Sequence, residues 1–264
     1  MKKWEVRILK SKLFNPGLVI YEIRNIIGNI FITIFGIFFP IFMAIFMGKV
    51  TTLQIPEEGR VAAMTTIFLS SILIIPLATV LIGYAALYSQ ELENQIPLRF
   101  KLYGYNEKTI LVSKIIANLI FITLGMALFS IIVPSVITIE RPTIKSALIL
   151  LVSIYLVTII VFILAHGIAL FIKRFGPTFA VSMVLYFGIM ILSGMFGVQA
   201  SQFPETLQAV AYTLPTTYIC GEFIDFWTGA SYNFMPFIQS LIFFASVSII
   251  ILLLAINRNA RRVN

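Results

Sequence analysis

The sequence predicts an all-α membrane protein with six transmembrane helices and both termini cytoplasmic, and three observations carry that expectation. Only 11% of the 264 residues are charged, less than half of the roughly 25% found in soluble domains. Hydrophobic residues make up 59%, the mean hydropathy is +1.00, and the apolar residues fall in unbroken runs long enough to cross the hydrocarbon layer. The Lys and Arg residues are shared unequally between alternate loops. Only helices and closed barrels satisfy the backbone in lipid, and continuous runs without strict alternation favour helices.

A basic segment, residues 1–25, comes first. Trp4, Val6, Ile8, Leu9, Leu13 and Phe14 lie among Lys2, Lys3, Arg7, Lys10 and Lys12 without forming one clean helical stripe. Two readings stand: an interfacial helix on the inner leaflet and a frayed basic tail. No short apolar core with a small-residue cleavage site stands here, so the first run is expected to remain as an anchor. The apolar stretches then cover about 26–48, 61–88, 110–139, 146–172, 178–198 and 236–256, each near spanning length and the longer ones tilted or extended past the bilayer. Together they form a membrane domain, 26–256, followed by a basic tail, 257–264.

Orientation follows from charge. Fifteen of the 19 Lys and Arg residues fall on the side of the termini, including Arg24, Arg99, Lys101, Lys108, Lys114, Lys173, Arg174, Arg258, Arg261 and Arg262. The other side has Lys49, Arg60, Arg141 and Lys145, and the long loop 199–235 has none. Cytoplasmic loops collect positive charge, which places the termini inside and a multi-pass chain in the cell membrane. The same split assigns the net charge of +8 to loops beside lipid; no nucleic-acid partner is expected.

Much chemistry is missing. Cys220, His166 and Asp225 are each the sole residue of their kind, so an internal disulfide and a His/Cys metal cluster are excluded. No span carries an Asp, Glu, Lys or Arg near its centre, where ion-coupled pumps usually place ionisable groups; Lys49 and Lys114 sit at predicted ends and can snorkel. His166 is read as bonded to a neighbouring helix, the alternative being a proton relay. Ala165 and Ala169 make a small-xxx-small pair that hints at close packing. Intramembrane hydrolysis would need a nucleophile with its base or a liganded metal. No GxxxxGK[ST] loop is present, so this chain is not expected to bind ATP, and energy for uphill transport would enter through another chain.

Most loops are short: Thr143 lies in one of about six residues and Gly176 in one of about five. Two are not. In the segment 89–108, Leu92, Ile96, Phe100 and Tyr103 recur on one helical face, with Glu91, Glu93, Asn94, Gln95, Arg99 and Lys101 on the other, and Pro97 bends or divides it. Such an element rests on lipid or docks into a partner. In the segment 199–235, Leu207, Val210, Ala211 and Leu214 predict a short amphipathic helix with Pro204 in its first turn and Pro215 ending it. It reads as a re-entrant hairpin capping a pathway, or as an interfacial belt holding Tyr212, Tyr218 and Trp227 at headgroup level.

With these residues in view, the chain resembles the permease subunits of the ABC-2 type transporter family. The resemblance rests on the basic start, six spans, the acidic amphipathic segment, Phe39-Pro40, Ser193-Gly194, Phe203-Pro204, Leu214-Pro215-Thr216-Thr217-Tyr218 and Gly229. Where the family often has Gly shortly after the acidic pair, this chain has Asn94 and Gln95. The resemblance implies an ATP-driven exporter half with no catalysis and no cofactor of its own. ATP and Mg would be held by a separate ABC ATP-binding subunit, with a second permease chain, identical or similar, alongside. It implies that Gln90, Glu91, Leu92, Glu93, Ile96, Arg99, Phe100 and Tyr103 abut the ATPase subunit. It implies an extracellular gate at Ser193, Gly194, Pro204, Leu214, Pro215 and Tyr218. Replacing Glu91 and Glu93 with Lys is then expected to abolish transport. Spans without buried charge suit an amphipathic or hydrophobic cargo such as a drug, a lipid-like molecule or an antimicrobial peptide. The rivals are a secondary transporter or channel, which needs ionisable groups in the spans, and an assembly factor or intramembrane enzyme, which needs a catalytic constellation.

Overall fold

The computed structural model describes residues 14–261. Residues 1–13 of the basic segment, and with them the choice between interfacial helix and tail, lie outside the described residues, as does Arg262 of the tail. The first element, α1 (Pro16–Gly28), is capped by Asn15, whose side-chain oxygen accepts the N–H groups of Gly17 and Leu18. Pro16 opens the helix, where a missing N–H costs no internal bond. Leu18, Glu22 and Ile26 are buried on one stripe against α5 (Glu107–Val136). Asn29 is extended, ends α1, and caps the next helix by accepting from Phe31 and Ile32. The first span therefore begins at Ile30, and Ile26 belongs to α1.

Among the described residues six helices are long and apolar enough to cross a membrane: α2 (Ile30–Gln54), α3 (Glu57–Glu93), α5, α6 (Ile144–Ile172), α7 (Phe175–Leu192) and α11 (Met235–Ala260). This is the architecture of a multi-pass membrane protein, and no strand occurs among the described residues. Between them lie α4 (Ile96–Leu102), α8 (Glu205–Ala211), α9 (Pro215–Gly221) and α10 (Phe223–Thr228).

The spans are not equivalent. In α3, 89% of the apolar window is buried, against 28–44% in the other five. The remaining helices form a sleeve around α3, with Phe38, Phe42, Leu124, Ile131, Val184, Ile242 and Phe243 turned outward. Both α2 and α3 contain a π-helical turn, at Ile34–Phe38 and Ala78–Tyr84. Pro40 and Pro76 stand close by, and a proline that withholds its N–H disturbs the α-helical ladder locally. The two helices meet closely there: a Cβ at Gly83 would stand 2.9 Å from the Ile32 side chain.

Two expectations about loops change. Gly176 is inside α7, because Lys173 takes left-handed backbone to end α6 and the Glu93 carboxylate accepts the Phe175 N–H at 2.9 Å, starting α7 at once. Pro215 does not end the preceding helix, which stops at Ala211 and leaves Leu214 outside it; it stands at the start of α9, where a proline is tolerated. The segment between α7 and α11 is folded. α9 packs on α3, α6 and α11, and α10 on α3 and α6; Asp225 lies in α10. Trp227 donates its ring N–H to the Glu140 carbonyl at 2.8 Å, and its own carbonyl accepts from the Ser146 hydroxyl at 3.0 Å. Tyr218 and Trp227 are buried, so they are core residues and not an aromatic belt.

The most extensive pairing is between α6 and α11. Ala165 and Ala169 are fully buried, but the close approach to α11 is made at Gly167, where a Cβ would stand 3.0 Å from the Leu252 backbone. Backbone cannot rotate aside as a side chain can. Gly167→Val is expected to cost about 1–3 kcal/mol through overpacking, read as a lowered melting temperature in detergent. Gly188→Val, at a position with open space around the added Cβ, is the control expected to leave melting nearly unchanged.

Candidate functional site

One end of the bundle gathers α1, the α3–α5 connection, the α6–α7 turn and the end of α11. Arg258 of α11 stacks over the Phe171 ring at 4.3 Å and reaches its carbonyl at 3.3 Å. At this basic end Lys114 lies on the buried stripe of α5 with Ile110, Ala117 and Phe121. Its Nζ sits 2.8 Å from Glu22 Oε1 on α1 and 2.6 Å from Glu91 Oε1 on α3. The three side chains are 4–7% exposed. Lys114 therefore does not snorkel; it joins three helices. The fully ionised triad carries one net negative charge. Burial pushes the Glu22 carboxyl above its ordinary range, with Lys114 beside it pulling the other way and Glu91 adding to the rise.

The residues assigned to ATPase coupling divide into two sets. Glu91 points inward into the triad and is buried. Glu93 is exposed but serves as the cap of α7. Gln90 and Arg99 are exposed, Leu92 and Ile96 half-buried. The helix breaks between Glu93 and Ile96, with Gln95 at φ 58, and Pro97 falls in the first turn of α4. Phe100 holds α4 down through edge contacts with the Tyr21 and Tyr105 rings, each at 5.8 Å. Lys101 pairs with Glu107 across the following turn. Above this anchor Leu98, Leu102 and Tyr103 are 52%, 81% and 82% exposed, an apolar outer face on a short helix. Leu98 and Leu102 escape the spacing argument, which groups Tyr103 with Leu92, Ile96 and Phe100; the structure half-buries those three and leaves Tyr103, just past the end of α4, exposed.

At the other end, a cavity of about 620 Å³ opens between α2, α3, the turn after α7 and the α8–α9 segment. Ser193 and Gly194 line it. Gly194 takes φ 81, and a Cβ there would stand 3.0 Å from the Val198 carbonyl oxygen, which explains the glycine. The Ser193 and Thr216 hydroxyls share a hydrogen bond at 2.5 Å, so the Ser-Gly turn is tied to α9. Tyr218 donates to the Tyr212 carbonyl at 3.2 Å, and Leu214 and Pro215 are buried beneath. Pro204 precedes α8, is exposed and does not line the cavity. The sequence reading missed Thr217, Cys220 and Glu222, which do line it; nothing in their spacing marks them. Burial pushes the Cys220 thiol up to about 12.

Between the two ends, His166 of α6 accepts or donates at Nδ1 to the Tyr84 hydroxyl of α3 at 2.6 Å and stacks on Tyr88 at 4.9 Å. It is bonded to a neighbouring helix, as expected for a lone histidine there.

Compared with protein-family models, with curated proteins and with solved structures, the chain matches none.

Two outcomes are expected of these ends. Lys114→Met leaves two buried carboxylates together and is expected to destabilise by about 3–5 kcal/mol, whereas Glu22→Gln leaves a neutral Glu91–Lys114 pair and is expected to be tolerated. Because the folded-state pKa of Glu22 is raised above the ordinary 4.5, native Glu22 contributes most at low pH and loses stability as pH rises through its folded pKa. Glu22→Gln should therefore gain on the native chain toward pH 8, and the two melting curves should converge toward pH 4. Separately, Cys220 is expected to resist maleimide in the folded protein from pH 7 to 9 and to react promptly once unfolded in detergent, read by mass spectrometry.

Proposed function

We propose that the chain is the membrane subunit of an ATP-driven exporter of the ABC-2 type, working in the cell membrane as one of a pair of permease chains beside separate ATP-binding subunits. The carrying observation is α4. A short helix at the strongly basic end turns Leu98, Leu102 and Tyr103 outward while its other face is pinned by Phe100. That is the form of a helix-in-groove contact, and positive charge at the same end favours its lying in the cytoplasm, where an ATPase would be. Gln95, at the position region where the resembled family often has glycine, takes the left-handed backbone that glycine adopts freely.

The mechanism follows from stiffness. Closure of the ATP-binding subunits around ATP and Mg presses on α4. The push passes through the Gln95 corner into α3, while the Glu22–Lys114–Glu91 triad keeps α1 and α5 moving with it. The far half of α3 lines the cavity, so a tilt of α3 changes the cavity's width on the extracellular side, where α8 and α9 form the re-entrant gate. This chain contributes pathway and linkage; the hydrolysis is the partner's.

Since Glu91 is an internal strut, reversing it would read out on folding before docking, and the test belongs on α4. Tagged protein with Leu98→Glu, Leu102→Glu and Tyr103→Glu should insert at the native level but lose a co-purifying subunit that bears a phosphate-binding loop. A preparation of the native chain free of any ATPase in several mild detergents would contradict the proposal and favour a secondary transporter or channel.

A further inference from the structure

We infer that the cavity at the end opposite α4 is a binding site for hydrophobic organic cations, with Glu222 as the recognising charge. The cavity's volume, about 620 Å³, falls in the range of roughly 300–1,000 Å³ typical of small-molecule sites. Its wall is apolar and hydroxyl-rich, and of the residues that line it only Glu222 is charged. Glu222 Oε2 accepts from the Tyr232 hydroxyl at 2.9 Å, which orients the carboxylate; among the described residues Oε1 has no protein donor. The half-buried rings of Phe196 and Tyr212 stand in the same wall, and an aromatic face attracts a cation. Gln54, Ser70 and Gln199 supply neutral polar groups.

The electrostatics around the site agree in sign. Glu57, Glu58, Glu140, Glu205 and Asp225 occupy this end against Lys49, Arg60, Arg141 and Lys145. Lys49, adjacent in sequence to the lining residue Val50, is exposed and does not line the cavity; Arg60 is engaged elsewhere, its Nε donating to the Ile55 carbonyl at 2.8 Å and its guanidinium lying 3.7 Å from Glu57. An anion would meet one carboxylate and no cation in the wall. A neutral apolar molecule would forgo the one charge the site offers. A delocalised cation satisfies rings and carboxylate together, and carries little desolvation cost because its charge is spread. Binding stands on the cavity alone; that the bound cation is also exported cargo rests on the exporter reading.

The test uses the purified full chain in lipid nanodiscs and radiolabelled tetraphenylphosphonium, with tetraphenylborate as an isosteric anion. Saturable binding of the cation and none of the anion above empty discs is expected, with Glu222→Gln weakening it about tenfold and Asp225→Asn, a carboxylate of the same end that does not line the cavity, leaving it in place. Should Glu222→Gln melt early, Phe196→Leu replaces it, and a several-fold loss is expected. Equal binding of both isosteres, no saturable binding of the cation, or cation binding indifferent to Glu222 and Phe196 would overturn the inference. The assay needs no ATPase, so its failure and the failure of the exporter proposal are told apart.

Discussion

A lysine amine held between two carboxylates, out of reach of solvent, sets what the rest of the structure can do. Lys114 joins α1, α3 and α5 at one end of the bundle through bonds of 2.8 and 2.6 Å. Each of the three groups would be costly alone in that environment; together they are tolerable only in one geometry. The consequence is positional. α1 is not free to drift from the bundle, and the last turn of α3, from which α4 hangs, is fixed relative to both neighbours. Glu93 adds a second fastening by capping α7.

From that anchored end α3 runs inward through an apolar stretch that is 89% buried. A helix sheathed on all sides cannot bend into lipid, so displacement at its foot is carried along its length. The π turn beside Pro76 is where it departs from a rigid rod. At the far end the same helix forms a wall of the cavity, and the Ser193–Thr216 hydrogen bond holds the opposite wall together. Anchor, rod and cavity form one mechanical line, which is why the proposed function places force at α4 and the gate at α8 and α9.

The helical class and six spans were legible in the sequence because lipid leaves a long apolar run few alternatives. The span ends moved where a side chain intervened: Asn29 capped the first span four residues late, and Glu93 started α7 at Phe175. The site was less legible. Glu91 was readable as part of an acidic amphipathic segment, yet its carboxylate turns inward, since the deciding partner, Lys114, is 23 residues away on another helix. A trace existed: Lys114 shares a helical face with Ile110, Ala117 and Phe121, and a charge on a buried stripe needs a counter-charge. Snorkelling was the wrong resolution because Lys114 has two carboxylates nearer than water. Ser193-Gly194 and the Leu214–Tyr218 run were recognisable as special, but that Ser193, Gly194 and Thr217 line a cavity with Glu222 is a tertiary fact with no local period.

The central claim is that α4 meets an ATP-binding protein on the cytoplasmic side. A photo-crosslinking residue placed at Tyr103, compared with one at Leu207 on α8, tests it in native membranes. The account requires a crosslink from position 103 to a protein bearing a phosphate-binding loop and none from 207. Lipid-only adducts at 103, or capture of the ATP-binding protein from 207, would contradict it.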